Sequence, residues 1–516
     1  MRPMRGATTP TGRATRVPSR ASSHGRVPGP HGGTLMAGAL AVLPIPALAV
    51  SGLLTPSVGV VAVVPIGFVF LSEALLPLGG RRPLMSMRPL VGILATYMLY
   101  VGPVITLAAG PWLRFVQAPP DFSEALDTHL VVLAVGAVIY KAVVSAVDNR
   151  PVLRQQSDRE WSNQAFWTAW CILVIVSFAS TAFVSVRVGI ATAWLGERSD
   201  VGAETAGLGV FVFVADWLPL LFGIGAIVSY VGRRGSKRLV VLQLSLVALM
   251  MVVLLGWRGS RGSIIWPLLS LVVFWVLLNG PLRKRTLVSL LVFLGFLMVA
   301  LGYFKVGGVD TLVAASTGQD QRAAIETSSG RGVVGLLRGD LDRTSAQVLL
   351  VSRLQAEPMV DLALGSTYLM APLELLPDFL GISLPQLPSR GELTSSIVLG
   401  QQVRDLRSRT SRAFGMQGEA YINFGPAGAA AVLGVYALFV AFASRSYRRA
   451  ILFRSKSSAL VTAALTAPCL NLLPFELDVA LGYAVKITLP MLLLALASRI
   501  VAKSNSGDPD TSRIRA

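Results

Sequence analysis

The chain has 516 residues, of which 53% are apolar and 14% charged, and its mean hydropathy is +0.63. Soluble domains carry about 25% charged residues, so this composition excludes an ordinary soluble fold. The formal charge of +19 would suit a nucleic-acid partner only if it were gathered in one place, and the loops below show that it is not.

Residues 1–34 hold Arg2, Arg5, Arg13, Arg16, Arg20 and Arg26 among Pro, Gly, Ser and Thr. No apolar period runs through them, which predicts a disordered basic cytoplasmic tail. The first apolar run begins near Leu35 with no small-residue cleavage site before it, so a cleavable signal peptide is not expected. Apolar runs of spanning length follow at 35–54, 57–78, 89–112, 128–147, 166–189, 208–231, 239–256, 263–279 and 286–304. Three more lie at 426–443, 458–475 and 479–502. Lipid offers backbone groups no partner, so each run must be a helix.

The expected architecture is therefore an all-α polytopic membrane protein of about twelve transmembrane helices. Nine fall in 35–304, a long polar stretch occupies 305–425, three helices fill 426–502, and 503–516 form a tail. No internal repeat is evident. Cys171 and Cys469 both fall inside apolar runs, and no Cys/His spacing suits a metal, so neither a disulfide framework nor a Cys/His metal site is expected.

Orientation follows from Lys and Arg in the short loops. With the N-terminus cytoplasmic, the inner loops hold Arg81, Arg82 and Arg88; Arg150, Arg154 and Arg159; Arg233, Arg234, Lys237 and Arg238; and Arg283, Lys284 and Arg285. Later inner segments add Arg445, Arg448, Arg449, Arg454, Lys456 and Lys503. The outer loops carry acids instead: Asp121, Glu124 and Asp127, then Glu197, Asp200 and Glu204, then Glu476 and Asp478. Both termini are thus expected in the cytoplasm, with the basic charge held at an anionic inner leaflet and no nucleic-acid role.

One outer loop breaks this rule. Trp257-Arg258-Gly-Ser-Arg261-Gly262 places two arginines outside with no acid near them. They could snorkel to outer headgroups. They could equally form an anion site, since the guanidinium grips phosphate with two parallel bonds and flanking glycines let a ligand approach.

The stretch 305–425 nearly balances its charges, which suggests a folded element. Within it, Asp340–Leu354 reads as an amphipathic helix. Leu362–Ile382 is apolar but broken by Pro372 and Pro377, and is expected to lie at the interface or re-enter. Arg404–Arg412, including Arg409, is a basic cluster that could be a solvated face or a substrate contact. It leads into Glu419, Tyr421 and Asn423; Tyr421 and Asn423 alternate with apolar Ile422 and Phe424 and would share one direction if the run is extended. Glu419 could act as a general base, orient an arginine, or simply cap the next span; Tyr421 and Phe424 also suit an interfacial belt.

Gly418-Glu-Ala-Tyr-Ile-Asn-Phe-Gly425, followed by Gly428 and an apolar span, resembles the E-x-Y-x-N-F-G-x-x-G signature of bacterial oligosaccharide repeat-unit polymerases, the O-antigen polymerase family. Gly365-Ser-Thr-Tyr368 with Leu376-Pro377 resembles that family's G-x-(S/T)-Y…(I/L)-P stretch, although Asp378-Phe379 stands where basic or aromatic residues are usual. Trp257–Gly262 is similar to its short G-S-R-G loop.

The resemblance implies a membrane glycosyltransferase of the GT-C type. Such enzymes join repeat units carried on undecaprenyl pyrophosphate at the outer face of the cytoplasmic membrane. It implies a lipid-linked oligosaccharide substrate, a flippase and a chain-length regulator as partners, and no cofactor. Arg258, Arg261 and Glu419 would then be catalytic, with Arg343, Tyr368, Arg409, Arg412, Tyr421 and Asn423 binding substrate. An O-antigen ligase relies on a histidine in the large outer loop, whereas His24, His31 and His129 all lie elsewhere. A transporter would need ionisable residues along a path through the membrane, for which Lys141, Asp216 and Lys486 are the sparse candidates.

Overall fold

The computed structural model describes residues 32–42, 57–77, 85–112, 118–148, 152, 161–189, 208–233, 237–256, 262–280, 282, 284–318, 333–356, 362–373 and 414–505. Among these the chain is all helical, with no strand. In order, α1 is Gly32–Val42, α2 Val58–Ala74, α3 Met87–Ala109, α4 Phe122–Asp148 and α5 Asn163–Val188. Then come α6, in two pieces (Gly209–Ala215 and Trp217–Arg233), α7 Lys237–Gly256, α8 Gly262–Asn279 and α9 Lys284–Thr317. Two shorter helices, α10 (Thr344–Ala356) and α11 (Ser366–Leu373), precede α12 (Gly415–Phe453), α13 (Lys456–Asn471), α14 (Leu477–Tyr483) and α15 (Leu489–Asn505).

Among the described residues, seven segments are long and apolar enough to cross a membrane: α3, α4, α5, Gly209–Val231 of α6, α8, α12 and Leu477–Arg499. Shorter apolar helices lie at Val58–Ala74, Leu242–Val252 and Val288–Phe304. Their apolar side chains face outward as well as inward. On α5, Ile175 is 67% and Val186 81% exposed, as expected of helices whose solvent is lipid.

Among the described residues, the two largest apolar cores hold the bundle. The first joins α2, α3 and α4 to α12, around Phe70, Tyr140, Leu433 and Tyr436. Its α4–α12 seam depends on small residues: a Cβ on Gly136 would meet Leu433 Cδ1 at 2.8 Å and the Ala430 carbonyl oxygen at 3.1 Å. Close backbone approach of this kind is how helices associate without a hydrophobic driving force. The second core joins α5, α6, α8, α13 and α15, around Phe166, Leu221, Phe274 and Leu460. Trp266 of α8 packs against both.

Several expectations change here. The segment 305–317 continues helix α9 rather than opening a loop. The amphipathic helix begins at Thr344, not Asp340, after a π-helical turn over Leu336–Leu341. Asp342 fixes that start, because its Oδ1 accepts from Thr344 N at 2.8 Å and so satisfies a helix-terminal donor. Helix α12 begins eleven residues before the expected span, at Gly415 rather than Pro426.

Arg88, Lys141 and Arg448 lie within α3, α4 and α12 rather than in loops, and each is engaged by a buried carboxylate. Arg88 Nε and Nη2 hold the two oxygens of Glu73 at 2.5 and 2.6 Å, and Nη1 reaches Asp148 Oδ2 at 2.9 Å. Lys141 Nζ lies 2.5 Å from Glu73 Oε1, and Arg448 Nη2 lies 3.2 Å from Asp148 Oδ1. Glu73 and Asp148 are fully buried. Desolvated carboxylates demand such partners, so these cations tie α2, α3, α4 and α12 together. Asp216 and Lys486 likewise pair with each other, at 3.1 Å, where α6 breaks and where a π-turn at Ala484–Thr488 joins α14 to α15.

Candidate functional site

The signature stretch is helical, not extended. Helix α12 is divided at Gly425, whose φ of 66° and ψ of −158° are non-helical. The piece before the break, Gly415–Phe424, is thus a separate short helix that ends where Pro426 starts the long one. In a helix, residues four apart share a face, so Glu419 aligns with Asn423 and not with Tyr421. The expected common direction of Tyr421 and Asn423 is corrected accordingly. Tyr421 packs into the first core.

Around Glu419 and Asn423 the chain builds a buried polar cluster. Glu419 is 1% exposed and Asn423 fully buried. Glu419 Oε1 accepts from Thr367 Oγ1 at 2.9 Å, and Oε2 accepts from Leu477 N at 2.8 Å. Asn423 Nδ2 donates to Thr367 Oγ1 at 2.7 Å and to the Glu419 carbonyl at 2.8 Å. Its Oδ1 accepts from Gly365 N at 2.9 Å. Backbone bonds from Ala363 N to Ile422 O, at 3.0 Å, and from Leu364 N to Asn423 O, at 3.1 Å, hold the approach to α11 against the helix end. That approach uses two left-handed residues, Leu364 at φ 45° and Gly365 at φ 90°.

The start of the short helix is fixed from two other elements. Glu476 Oε1 accepts from Phe414 N, and from Gly415 N at 3.3 Å. Gln347 Nε2 of α10 donates to the Phe414 carbonyl at 2.6 Å. A carboxylate at a helix N-terminus meets both free N–H groups and the positive end of the dipole. Gly415 itself, at φ 69°, leaves no room for a side chain: a Cβ would sit 2.9 Å from the Leu473 carbonyl.

Tyr368 stacks on Phe424, with ring centroids 6.0 Å apart. Burial, and then the Glu419 carboxylate, push its phenol well above the ordinary range, so it stays protonated. Arg343 donates to the Gly339 carbonyl at 3.1 Å and lies 5.9 Å over the Phe475 ring. Nearby, Arg338 Nη2 donates to the Gly110 carbonyl at 2.6 Å. Burial pushes the Asp342 carboxyl up, opposed by its bonds to Thr344 and Thr106.

Of the residues singled out from the sequence, the structure brings Tyr368, Glu419 and Asn423 into one cluster with Tyr421 on the adjoining face, and Arg343 reaches the same end through Phe475. Arg258, Arg261, Arg409 and Arg412 lie outside the described residues, although Gly262, which closes the short arginine loop, borders Tyr483. Sequence patterning does not single out Thr367, which stands inside the Gly365–Tyr368 motif beside a more conspicuous tyrosine. Nor does it single out Glu476, which counts there only as an outer-loop acid. Among the described residues no group of three or more His, Cys, Asp or Glu is placed to hold a metal ion. No family model, curated protein or solved structure matches the chain.

Proposed function

We propose that the protein is a membrane polymerase of lipid-linked oligosaccharide repeat units, built on twelve spans of GT-C type with both termini cytoplasmic. The observation that carries this reading is the joining of two of the signature stretches through Thr367, Glu419 and Asn423 in a single buried cluster, with the third ending at Gly262 near α14. The distribution of charge supports the orientation. Lys456 and Arg499 lie at one end of the bundle, while Asp121, Asp127, Asp342, Glu419 and Glu476 lie at the other, alongside Arg338 and Arg343.

In the proposed reaction an acceptor hydroxyl attacks the anomeric carbon of a glycan on undecaprenyl pyrophosphate. The new C–O bond forms as the bond from the anomeric carbon to the phosphate oxygen breaks; the pyrophosphate leaves with the electron pair, and one of its oxygens takes the proton that the acceptor hydroxyl loses. Arg258 and Arg261 stabilise its charge, since preorganised donors act where charge develops. Arg343, Arg409 and Arg412 hold the phosphate or sugar, and Tyr368 donates its retained proton in a hydrogen bond. Glu419 has each carboxylate oxygen held by a donor, Oε1 by the Thr367 hydroxyl and Oε2 by the Leu477 N–H. Its role in this proposal is positioning rather than proton abstraction, with Asn423 and Tyr421 completing the wall.

Purified protein in liposomes, given an undecaprenyl-pyrophosphate-linked repeat unit, should yield a ladder of products on a gel. Transfer of a single unit to another lipid would point to a ligase instead, and vesicle uptake without a new bond to a transporter. Arg258→Ala and Arg261→Ala should each insert normally yet slow the ladder roughly tenfold to a hundredfold, from losing one charge-assisted contact of about 1.5–3 kcal/mol. Normal ladders from both would leave headgroup snorkelling as their role.

A further inference from the structure

Beside the Glu419 cluster stands a second arrangement, of which the proposed reaction uses only Arg343. The rings of Phe475 and Tyr483 lie 5.9 Å apart, tilted by 40°. Arg343 covers Phe475, with Cζ 5.9 Å from the ring centroid. A Cβ added to Gly262 would overlap Tyr483 Oη and fall 3.0 Å from Trp266 Nε1, so both polar atoms border the same glycine. All four side chains are half-buried. Trp266 Nε1 is enclosed and has no hydrogen-bond acceptor among the described residues. One turn before Phe475, whose N–H donates to the Asn471 carbonyl at 3.1 Å, Asn471 is fully buried, and neither side-chain amide atom is bonded among the described residues.

An interfacial aromatic belt does not account for this. Belt indoles direct their N–H to headgroups or water, whereas here the donor is enclosed with no acceptor among the described residues, which costs free energy until something supplies one. A lipid tail has no acceptor to offer. A sugar ring offers an apolar C–H face to the aromatic rings and oxygens to the N–H and hydroxyl at their edge. We propose that Trp266, Tyr483, Phe475 and Arg343 form a carbohydrate subsite. Phe475 and Tyr483 pack against a sugar of the lipid-linked glycan, Trp266 and Tyr483 bond its oxygens, and Arg343 faces the adjoining phosphate. The choice of a lipid-linked glycan as ligand rests on the polymerase reading; the subsite geometry does not.

The test compares binding of two probes to full-length protein in nanodiscs: undecaprenyl-pyrophosphate-linked repeat unit and bare undecaprenyl pyrophosphate. Trp266→Phe keeps an aromatic ring and removes only the N–H and part of the indole. It should weaken the glycan-bearing probe about tenfold and leave the bare carrier unchanged, and Tyr483→Phe should act in the same direction. Unchanged binding of the glycan-bearing probe in both variants overturns the subsite. So does an equal loss for both probes, which would place these residues on the lipid or pyrophosphate. The polymerisation assay separates the two claims. A ladder from every variant with unchanged binding removes the subsite and keeps the polymerase. Glycan-selective, Trp266-dependent binding with no ladder from the native protein keeps the subsite and removes the polymerase.

Discussion

Thr367 is the residue on which the candidate site turns. Its hydroxyl donates to Glu419 and accepts from Asn423, so one oxygen satisfies two buried side chains at once. Removing it leaves both short of a partner in a place that water does not reach. Thr367→Val, which keeps the shape, should destabilise the protein by about 1–3 kcal/mol, read as a lower midpoint of thermal unfolding in detergent. Thr367→Ser keeps the hydroxyl and should stay close to the native value. Equal midpoints for the two variants would mean that the cluster does not hold the two segments together. Glu419 belongs to the same argument: a carboxylate fixed by an O–H and a backbone N–H positions α11 and α14 around itself.

Among the elements, the broken helix α12 carries the most consequence. At Gly425 the backbone occupies a region that only glycine adopts without strain. The space beside it is open, since the nearest atom to an added Cβ would be Leu362 Cδ1 at 3.8 Å. The requirement is therefore conformational and not steric, and Gly425→Ala should cost about 1–3 kcal/mol. The same variant should weaken polymer synthesis without blocking insertion, because the long piece from Pro426 onward is untouched. Protein level by immunoblot and product on a gel measure the two separately, and a normal ladder would show that the kink is dispensable. The expectation that this span begins at its proline is half right: Pro426 starts the long helix, but the signature before it is a helix too.

Across the bundle as a unit, two polar assemblies mark opposite ends. One is the Glu419 cluster; the other is the buried network of Glu73, Arg88, Lys141, Asp148 and Arg448. Removing one partner from such a network exposes the remaining charges to a medium that cannot solvate them, at a cost of about 3–5 kcal/mol. Glu73→Gln should lower the unfolding midpoint accordingly, and replacing both Glu73 and Arg88 with apolar residues should recover part of the loss. Orientation is open to direct measurement. In a chain whose Cys171 and Cys469 are replaced by serine, a cysteine at exposed Ser123, near the start of α4, should react with an impermeant thiol reagent in intact cells. A cysteine at exposed Asn279, the end of α8, should react only after lysis. The reverse pattern would invert the topology and place the Glu419 cluster on the cytoplasmic side.

Composition and local patterning are enough to establish that the chain is helical and made for lipid. Long apolar runs have one solution in hydrocarbon, because every backbone N–H and C=O must bond within its own segment. Patterning also locates the stretch Gly418–Gly425 and the motif around Tyr368. Partnership is beyond its reach. Whether Arg88 and Arg448 decorate a loop or neutralise Glu73 and Asp148 depends on which helices pack together, and that is set by non-local contacts such as Gly136 against Leu433. The helical state of Gly415–Phe424 is hidden for a related reason. Its start is stabilised by Glu476 and Gln347, and its face by Thr367 and Leu477, residues about 50 to 70 positions away in the chain. Only the packed fold brings those donors and acceptors within reach, and with them the buried cluster that the sequence displays merely as separate motifs.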